Sequence, residues 1–283
     1  MKLQLTKWLT LPVVAMSLFI AACSDSPSIT FPALSNSAMK TPGSVVWRDL
    51  ATTAPDQVKP FYENVFGWKF ETISDDYSLI QYQGHYIAGM ATLPTTSSTN
   101  YWLPVISTDN VDNTLAQAKN AGGTILIKKT TLKGRGDMAV IQDPQGAVFS
   151  ILNTINGDPD ALEKQSGNWM WQEVWTQDIN QSQSFYQKLG HYKAETKSLN
   201  KYDYPFLSIN NKPAFGFVKK PNADVATTWV NYIRVDDVNA TVKKITQNGG
   251  YILMAPTKLV HNGTVAIVRD PAGAGFVVQE SLK

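Results

Sequence analysis

Three textures follow one another along the chain. Trp8 to Ala22 is mostly apolar, preceded by Lys2 and Lys7 and followed by the polar Ser24-Asp25-Ser26. Residues 24–43 mix Ser, Pro, Thr and Asn with little periodicity. From about residue 44 onward, short apolar runs alternate with helical stripes. Val45–Thr52 suits a strand. Pro55 stands where a first helical turn tolerates it, and Val58, Phe61, Tyr62, Val65 and Phe66 recur at helical spacing. Gly67 ends that helix, and short strands are predicted near 68–73, 78–83 and 86–91. A strand near 103–108 leads to a helix from Val111 with Leu115, Ala116 and Ala118 on its apolar stripe. Gly122-Gly123 closes that helix, and three more strands follow. Asp143-Pro144-Gln145-Gly146 has Asp, Pro and Gly at the positions a type I turn favours.

The pattern then repeats. WRDLAT at Trp47–Thr52 is matched by WQEVWT at Trp171–Thr176, and Phe61-Tyr62 by Phe185-Tyr186, each 124 residues later. Trp102 recurs as Trp229, Gly122-Gly123 as Gly249-Gly250, and the DPQGAVF starting at Asp143 as the DPAGAGF starting at Asp270. These later pairs lie 127 apart. Two modules follow, about 44–155 and 167–281, joined by a polar segment around Asn156-Gly157-Asp158-Pro159. Each reads as two βαββ(β) units. The fold class is α+β: tandem βαβββ units forming two curled, mainly antiparallel sheets.

The amino terminus reads as an address. A basic start before a short apolar run describes an export signal over residues 1–22, too short for a comfortable membrane span. Ile20-Ala21-Ala22-Cys23 resembles the bacterial lipobox, which implies acylation of Cys23 and anchoring in the cell envelope. Ser24 after the cysteine resembles sorting to the periplasmic face of a Gram-negative outer membrane, although Asp25 follows it. Residues 23–43 are expected as a flexible tether. An ordinary signal peptide with a chance cysteine and a retained membrane helix are the alternatives.

Composition narrows the rest. The chain has 283 residues, 43% hydrophobic and 17% charged, enough apolar mass for a core. The formal charge of +2 rests on Lys2 and Lys7, and no nucleic-acid partner is expected. One cysteine excludes an intrachain disulfide, and the three histidines, His85, His191 and His261, leave little material for metal chemistry. Each histidine reads as a surface or turn residue. Gly134-Arg135-Gly136-Asp137 spells an adhesion-like tetrapeptide by chance. No P-loop, dinucleotide fingerprint or nucleophile elbow is present.

The ordered, doubled motifs resemble the vicinal oxygen chelate superfamily, the group of glyoxalase I, bleomycin-resistance proteins and extradiol dioxygenases. The resemblance covers nearly all of 44–281. It implies sheets whose concave faces form ligand clefts, and a divalent metal held by His, Gln or Glu. The family's ligand positions fall on Trp47, Leu103 and Ser150 in the first module and on Trp171, Val230 and Val277 in the second. None of these supplies an imidazole or carboxylate, and a slip of one or two residues offers only Asp49, or Gln172 and Glu173. No metal and no other cofactor is therefore expected, and the family's metal-dependent chemistries are disfavoured.

What remains is acidic and aromatic. Strand alternation sets Trp171, Glu173 and Trp175 on one face, with Gln172 and Val174 on the other, and likewise Trp47, Asp49 and Ala51 in the first module. Glu173 and Asp49 are the candidate catalytic or ligand-accepting acids. Trp47, Trp171, Trp175, Tyr101, Trp102, Trp229 and Tyr232 are the candidate ligand-binding aromatics. The competing reading has each acid hydrogen-bonded to a neighbouring backbone or Trp N–H, with the aromatics filling the core. Three functions fit: metal-independent binding or sequestration of a small organic molecule, a lyase or isomerase using Glu173 or Asp49 as base, and a protein-interaction scaffold. Whether the chain is an enzyme stays open, and the sequence is compatible with a monomer or a homodimer.

Overall fold

A computed structural model describes residues 29–35, 37–159, 165–199 and 202–281. The expected signal peptide and Cys23 lie outside them. The first repeat runs β1 (Val45–Thr52), α1 (Pro55–Phe66), β2 (Lys69–Ser74), β3 (Tyr77–Tyr82), β4 (His85–Thr92), β5 (Tyr101–Ser107), α2 (Val111–Asn120), β6 (Thr124–Leu132), β7 (Gly136–Gln142) and β8 (Val148–Thr154). The second runs β9 (Trp169–Thr176), α3 (Ile179–Gln187), β10 (Lys193–Leu199), β11 (Tyr202–Ile209), β12 (Lys212–Lys219), β13 (Thr228–Val235), α4 (Val238–Gln247), β14 (Tyr251–Met254), β15 (Val265–Arg269) and β16 (Gly275–Glu280). The fold is α+β.

Local chemistry sets the boundaries. Pro55 occupies the first turn of α1, and Gly67 ends the helix at φ 75°, its N–H bonded to the Glu63 carbonyl. Side chains of Asn110, Asp178 and Asp237 cap α2, α3 and α4 by accepting from N–H groups three residues on. The strands form two eight-stranded sheets, ordered β2-β3-β4-β1-β5-β8-β7-β6 and β10-β11-β12-β9-β13-β16-β15-β14. Antiparallel meanders dominate. The pairs β1–β4, β5–β8, β9–β12 and β13–β16 are parallel, so the sheets are mixed.

The compact units do not coincide with the sequence repeats. The first unit takes the described residues of 1–47, 103–160 and 172–229; the second takes those of 48–102, 161–171 and 230–283. Each is thus half of one repeat completed by half of the other. In the first unit Ala118, Ile141, Phe149 and Ile151 share a core with Val174, Phe185, Phe215 and Phe217. In the second, Leu50, Phe61, Phe66 and Ile80 share one with Ile233, Ile245, Val268 and Phe276. The repeated glycine pairs explain part of this interlock. A Cβ at Gly123 would stand 2.9 Å from the Phe185 ring, and one at Gly250 would stand 2.7 Å from the Phe61 ring. Glycine there lets the aromatic of the opposite repeat approach the backbone closely.

Within the segment expected as a flexible tether, 23–43, the described residues 29–35 and 37–43 are held to the first unit at several points. In the first unit, Phe31 N–H donates to the Lys133 carbonyl at 2.8 Å, Ala38 N–H to Asn156 at 3.2 Å and Gly43 N–H to Ser107 at 2.8 Å. Leu34 is buried. Asp158, read from sequence as part of a polar joint, is also buried. Its Oδ2 accepts from Thr41 N–H and from Ser107 Oγ, both at 2.7 Å, while Oδ1 accepts from Thr154 Oγ1 at 3.0 Å. A buried carboxylate needs such donors, and Thr41 of the incoming chain supplies two, its N–H and, at 3.2 Å, its hydroxyl. The adhesion-like tetrapeptide is accounted for by the same packing. The Arg135 guanidinium is buried over the rings of Phe31 and Trp47, at 5.1 and 5.6 Å.

Candidate functional site

Each candidate acid is paired with a phenol. In the second unit Tyr77 Oη donates to Asp49 Oδ1 at 2.8 Å. In the first unit Tyr204 Oη donates to Glu173 Oε1 at 2.7 Å. Asp49 and Glu173 are repeat partners 124 residues apart, and Tyr77 and Tyr204 are partners 127 apart. Both pairs depend on a strand glycine. Asp49 stands opposite Gly89 across the parallel β1–β4 pair, and Glu173 stands opposite Gly216 across β9–β12. A Cβ at Gly89 would overlap both Asp49 Oδ1 and the Tyr77 hydroxyl, and one at Gly216 would overlap the Tyr204 hydroxyl. The phenols thus reach their acids over a bare stretch of strand.

The other predicted residues fall into separate groups. Trp175 shares the Glu173 face as the alternation requires, and its indole N–H donates to Glu173 Oε2 at 3.1 Å. Glu173 itself is buried, so its two oxygens are held by a phenol and an indole. Val174, on the other face, joins the core with α3. Trp47 is buried beneath Arg135. Trp171 and Tyr101 are half-buried, and Tyr232 is buried. Burial pushes the Tyr101 hydroxyl up to about 12.

Trp102 and Trp229, expected among the ligand-binding aromatics, are buried in the two cores. Trp102 Nε1 donates to Tyr62 Oη at 2.9 Å, and Tyr62 donates to Asp270 Oδ2 at 3.1 Å. Trp229, Tyr186 and Asp143 repeat the chain at 3.1 and 3.2 Å. Each aspartate also ties its own D-P-x-G turn. Asp270 Oδ1 accepts from the N–H groups of Ala272, Gly273 and Ala274 at 2.8–3.0 Å; Asp143 Oδ1 accepts from Gln145 and Ala147, both at 2.9 Å. Burial pushes Asp270 up to about 6 and also raises Asp143, against the opposing pull of these donors.

Neither tyrosine of the acid–phenol pairs was singled out by sequence, and the two aspartates of these relays were read only as turn and repeat markers. The signal was present in both cases. Tyr77, Gly89 and Asp143 all recur 127 residues later, in the register that Trp102 and Trp229 already established.

The model of the Glyoxalase/Bleomycin resistance protein/Dioxygenase superfamily matches residues 44–151 and again 171–278. The chain belongs to that superfamily. Within it, the chain is 26% identical over 245 residues to "Putative glyoxylase CFP32" of Mycobacterium tuberculosis, covering 83% of this chain and 94% of the relative. It is 27% identical to the anthracycline biosynthesis protein DauV of a Streptomyces species, covering 84% and 94%. Among solved structures it is similar to a Mn(II)-bound glyoxalase from Novosphingobium aromaticivorans, with TM-score 0.61, 14% identity and coverage of 87% and 84%. It is also similar to the 2,3-dioxygenase LapB from Pseudomonas sp. KL28, with TM-score 0.59, 13% identity and coverage of 86% and 94%.

Glyoxalase-superfamily membership raises the question of a metal, and the residues at the expected positions do not fit one. In the first unit, Trp47, Leu103 and Ser150 are all buried, and the Ser150 hydroxyl is spent on the Ala139 carbonyl at 3.0 Å. In the second, Trp171, Val230 and Val277 offer no oxygen or imidazole nitrogen. Gln172, one residue away, points to the other face and donates to the Ala214 carbonyl. Hard divalent ions need several oxygen or imidazole donors. Among the described residues, no three His, Cys, Asp or Glu side chains come together. All three histidines are exposed.

Proposed function

We propose that this superfamily member binds a small, hydroxylated or cationic organic molecule without a metal, through the repeat-related pairs Asp49–Tyr77 and Glu173–Tyr204. The observation that carries the reading is the duplication of each acid–phenol pair together with the glycine that makes room for it. A carboxylate whose orientation is fixed by a phenol is a preorganised acceptor for a ligand O–H or N–H. Trp171 and Trp175 lie on the sheet faces that carry these acids by strand alternation, and flat apolar rings favour a flat ligand. The naming of related proteins for anthracycline biosynthesis and glyoxylase activity fits an oxygen-rich small molecule.

We further propose, from the lipobox-like run ending at Cys23, that the chain is exported and acylated there, and so held at the cell envelope. Several acyl chains on one residue would anchor it stably, at about 0.8 kcal/mol per buried methylene.

The test is a tryptophan-fluorescence titration of EDTA-stripped protein with an anthracycline. Saturable binding is expected, unchanged by EDTA. Asp49→Asn and Glu173→Gln should weaken it roughly tenfold or more, the loss of a charge-assisted hydrogen bond. A requirement for stoichiometric Mn(II), Ni(II) or Zn(II), or wild-type affinity in both variants, would overturn the reading. The direct phenol-to-carboxylate hydrogen bonds also favour a second reading, in which the same pair moves a proton in a lyase or isomerase step. Any turnover found should then fall in the same two variants.

A further inference from the structure

Five residues, 24–28, lie between Cys23 and Ile29, where the described chain begins. Fully extended, the six Cα steps from 23 to 29 reach at most about 20 Å. The packed segment that follows does not leave the body free to swing on a long leash, because it docks at once on one end of the first unit. Phe31 N–H is bonded to Lys133 in the β6–β7 turn, and a Cβ at the neighbouring Gly134 would collide with the Phe31 carbonyl oxygen. The same end holds the loop after β8, since Ile155 N–H donates to the Arg135 carbonyl and Asp158 N–H to Met39.

This end exposes apolar side chains, with lysines among the charges nearby. Ile29, Met39 and Ile155 are exposed by 42%, 69% and 59%, and no other large apolar residue of the first unit is so exposed among the described residues. Lys133 is exposed in the β6–β7 turn and Lys128 midway along β6, and two acids, Asp109 and Asp112, are exposed next to Asn153 and Lys129. Lys129 is engaged by Asp112 and Lys40 by Asn153 Oδ1 at 2.6 Å. Exposed apolar side chains with lysines nearby suit a surface that sits at a lipid headgroup layer.

We infer that this end of the first unit lies on the bilayer itself, with Ile29, Met39 and Ile155 at the headgroup level and Lys128 and Lys133 over anionic phospholipid. The inference rests on the proposed acylation of Cys23. The packed segment then acts as a rigid strap that fixes which side of the protein meets the membrane. Two observations support it together: the short reach from Cys23 to Ile29, and the exposed apolar side chains of Ile29, Met39 and Ile155 with Lys133 where the chain enters.

The lone cysteine makes a clean test. The acylated full-length protein is purified from a bacterial membrane, carrying a second cysteine in place of either Thr131 or Asn120. Both positions are exposed. Thr131 borders the β6–β7 turn. Asn120 lies beyond the opposite end of β6, a strand of nine residues that spans about 30 Å. Each thiol receives an environment-sensitive fluorophore, and the protein is reconstituted in phosphatidylethanolamine–phosphatidylglycerol vesicles containing a headgroup quencher. Loss of fluorescence at position 131 but not at 120 is expected, and Lys128→Glu with Lys133→Glu should relieve it. Vesicles of phosphatidylcholine alone should weaken the quenching in the parent and leave the doubly charge-reversed protein unchanged. Equal quenching at both positions, or none at 131, in a protein whose mass shows acyl chains on Cys23 overturns the orientation alone. A mass without acyl chains overturns the anchoring and the orientation together.

Discussion

The hydroxyl of Tyr186 donates to Asp143 at 3.2 Å, although the two residues belong to different sequence repeats. Tyr62 does the same with Asp270 at 3.1 Å in the other unit. These are the Tyr of each F-Y motif and the Asp of each D-P-x-G motif, crossed between repeats, with Trp229 and Trp102 donating to the tyrosines from behind. The motifs that mark the family are therefore the bolts of its interlock rather than its chemistry. A chain cut between the repeats would leave each tyrosine without the aspartate it was built to meet.

Tyr62→Phe and Tyr186→Phe should each destabilise the protein by about 2–4 kcal/mol. Each change leaves a buried carboxylate oxygen short of a donor and an indole N–H short of an acceptor, at roughly 1–3 kcal/mol per orphaned group. Urea denaturation followed by tryptophan fluorescence measures this. A loss under about 0.5 kcal/mol would mean the relay contributes little.

Asp270 makes stability depend on pH in an unusual direction. Its folded pKa is raised to about 6 by burial, above the roughly 3.9 of an unfolded aspartate. The folded state therefore holds its proton more tightly, and the group's contribution is complete below about pH 4 and lost as pH rises through about 6. A shift of about two units corresponds to about 3 kcal/mol. Asp270→Asn keeps an oxygen for the three turn N–H groups but cannot titrate. The stability difference between wild type and variant should therefore change by up to that amount between pH 4 and pH 7. Parallel stability curves across that range would refute the assignment.

Much of this architecture was legible in the sequence because it is periodic. Helical stripes, Pro55, Gly67 and the D-P-x-G turns are local signals, and local signals place elements to within a residue or two. The crossing of the repeats was not legible, because Phe185 against Gly123 and Tyr186 against Asp143 are contacts between distant segments with no local signature. The strap was missed for a related reason. Residues 29–43 bury little apolar surface of their own, and what holds them is Asp158 and the backbone of other strands. At the candidate site alternation placed the acids and tryptophans on one face, but the phenols that bond the acids sit on neighbouring strands, where only the repeat register pointed to them.

Asp158→Ala should loosen the strap without unfolding the body. It removes the acceptor for Thr41 N–H, Thr41 Oγ1, Ser107 Oγ and Thr154 Oγ1. Limited proteolysis should then cleave within 29–43 at least about tenfold faster, the consequence of losing about 1.4 kcal/mol of local protection. Cleavage at the wild-type rate would show that the backbone bonds of Phe31, Ala38 and Gly43 hold the segment alone.

Gly89→Ala and Gly216→Ala separate the site from the fold. Neither glycine has a positive φ, so in a strand alanine costs the backbone nothing and by propensity alone gains some tenths of a kcal/mol. The cost comes entirely from the side chain opposite. A methyl at 216 occupies the space of the Tyr204 hydroxyl, and one at 89 occupies that of both Tyr77 Oη and Asp49 Oδ1. The phenol has to swing away, at about 1–3 kcal/mol for overpacking, and the acid loses its fixed orientation. Gly216→Ala should therefore lower both stability and ligand affinity. Adding Tyr204→Ala removes the obstructing ring and should restore much of the stability while leaving affinity low. Denaturation midpoints and binding titrations on the single and double variants read the two effects apart. If the double variant regained affinity along with stability, the phenol would be packing only, and the acid alone would carry the site.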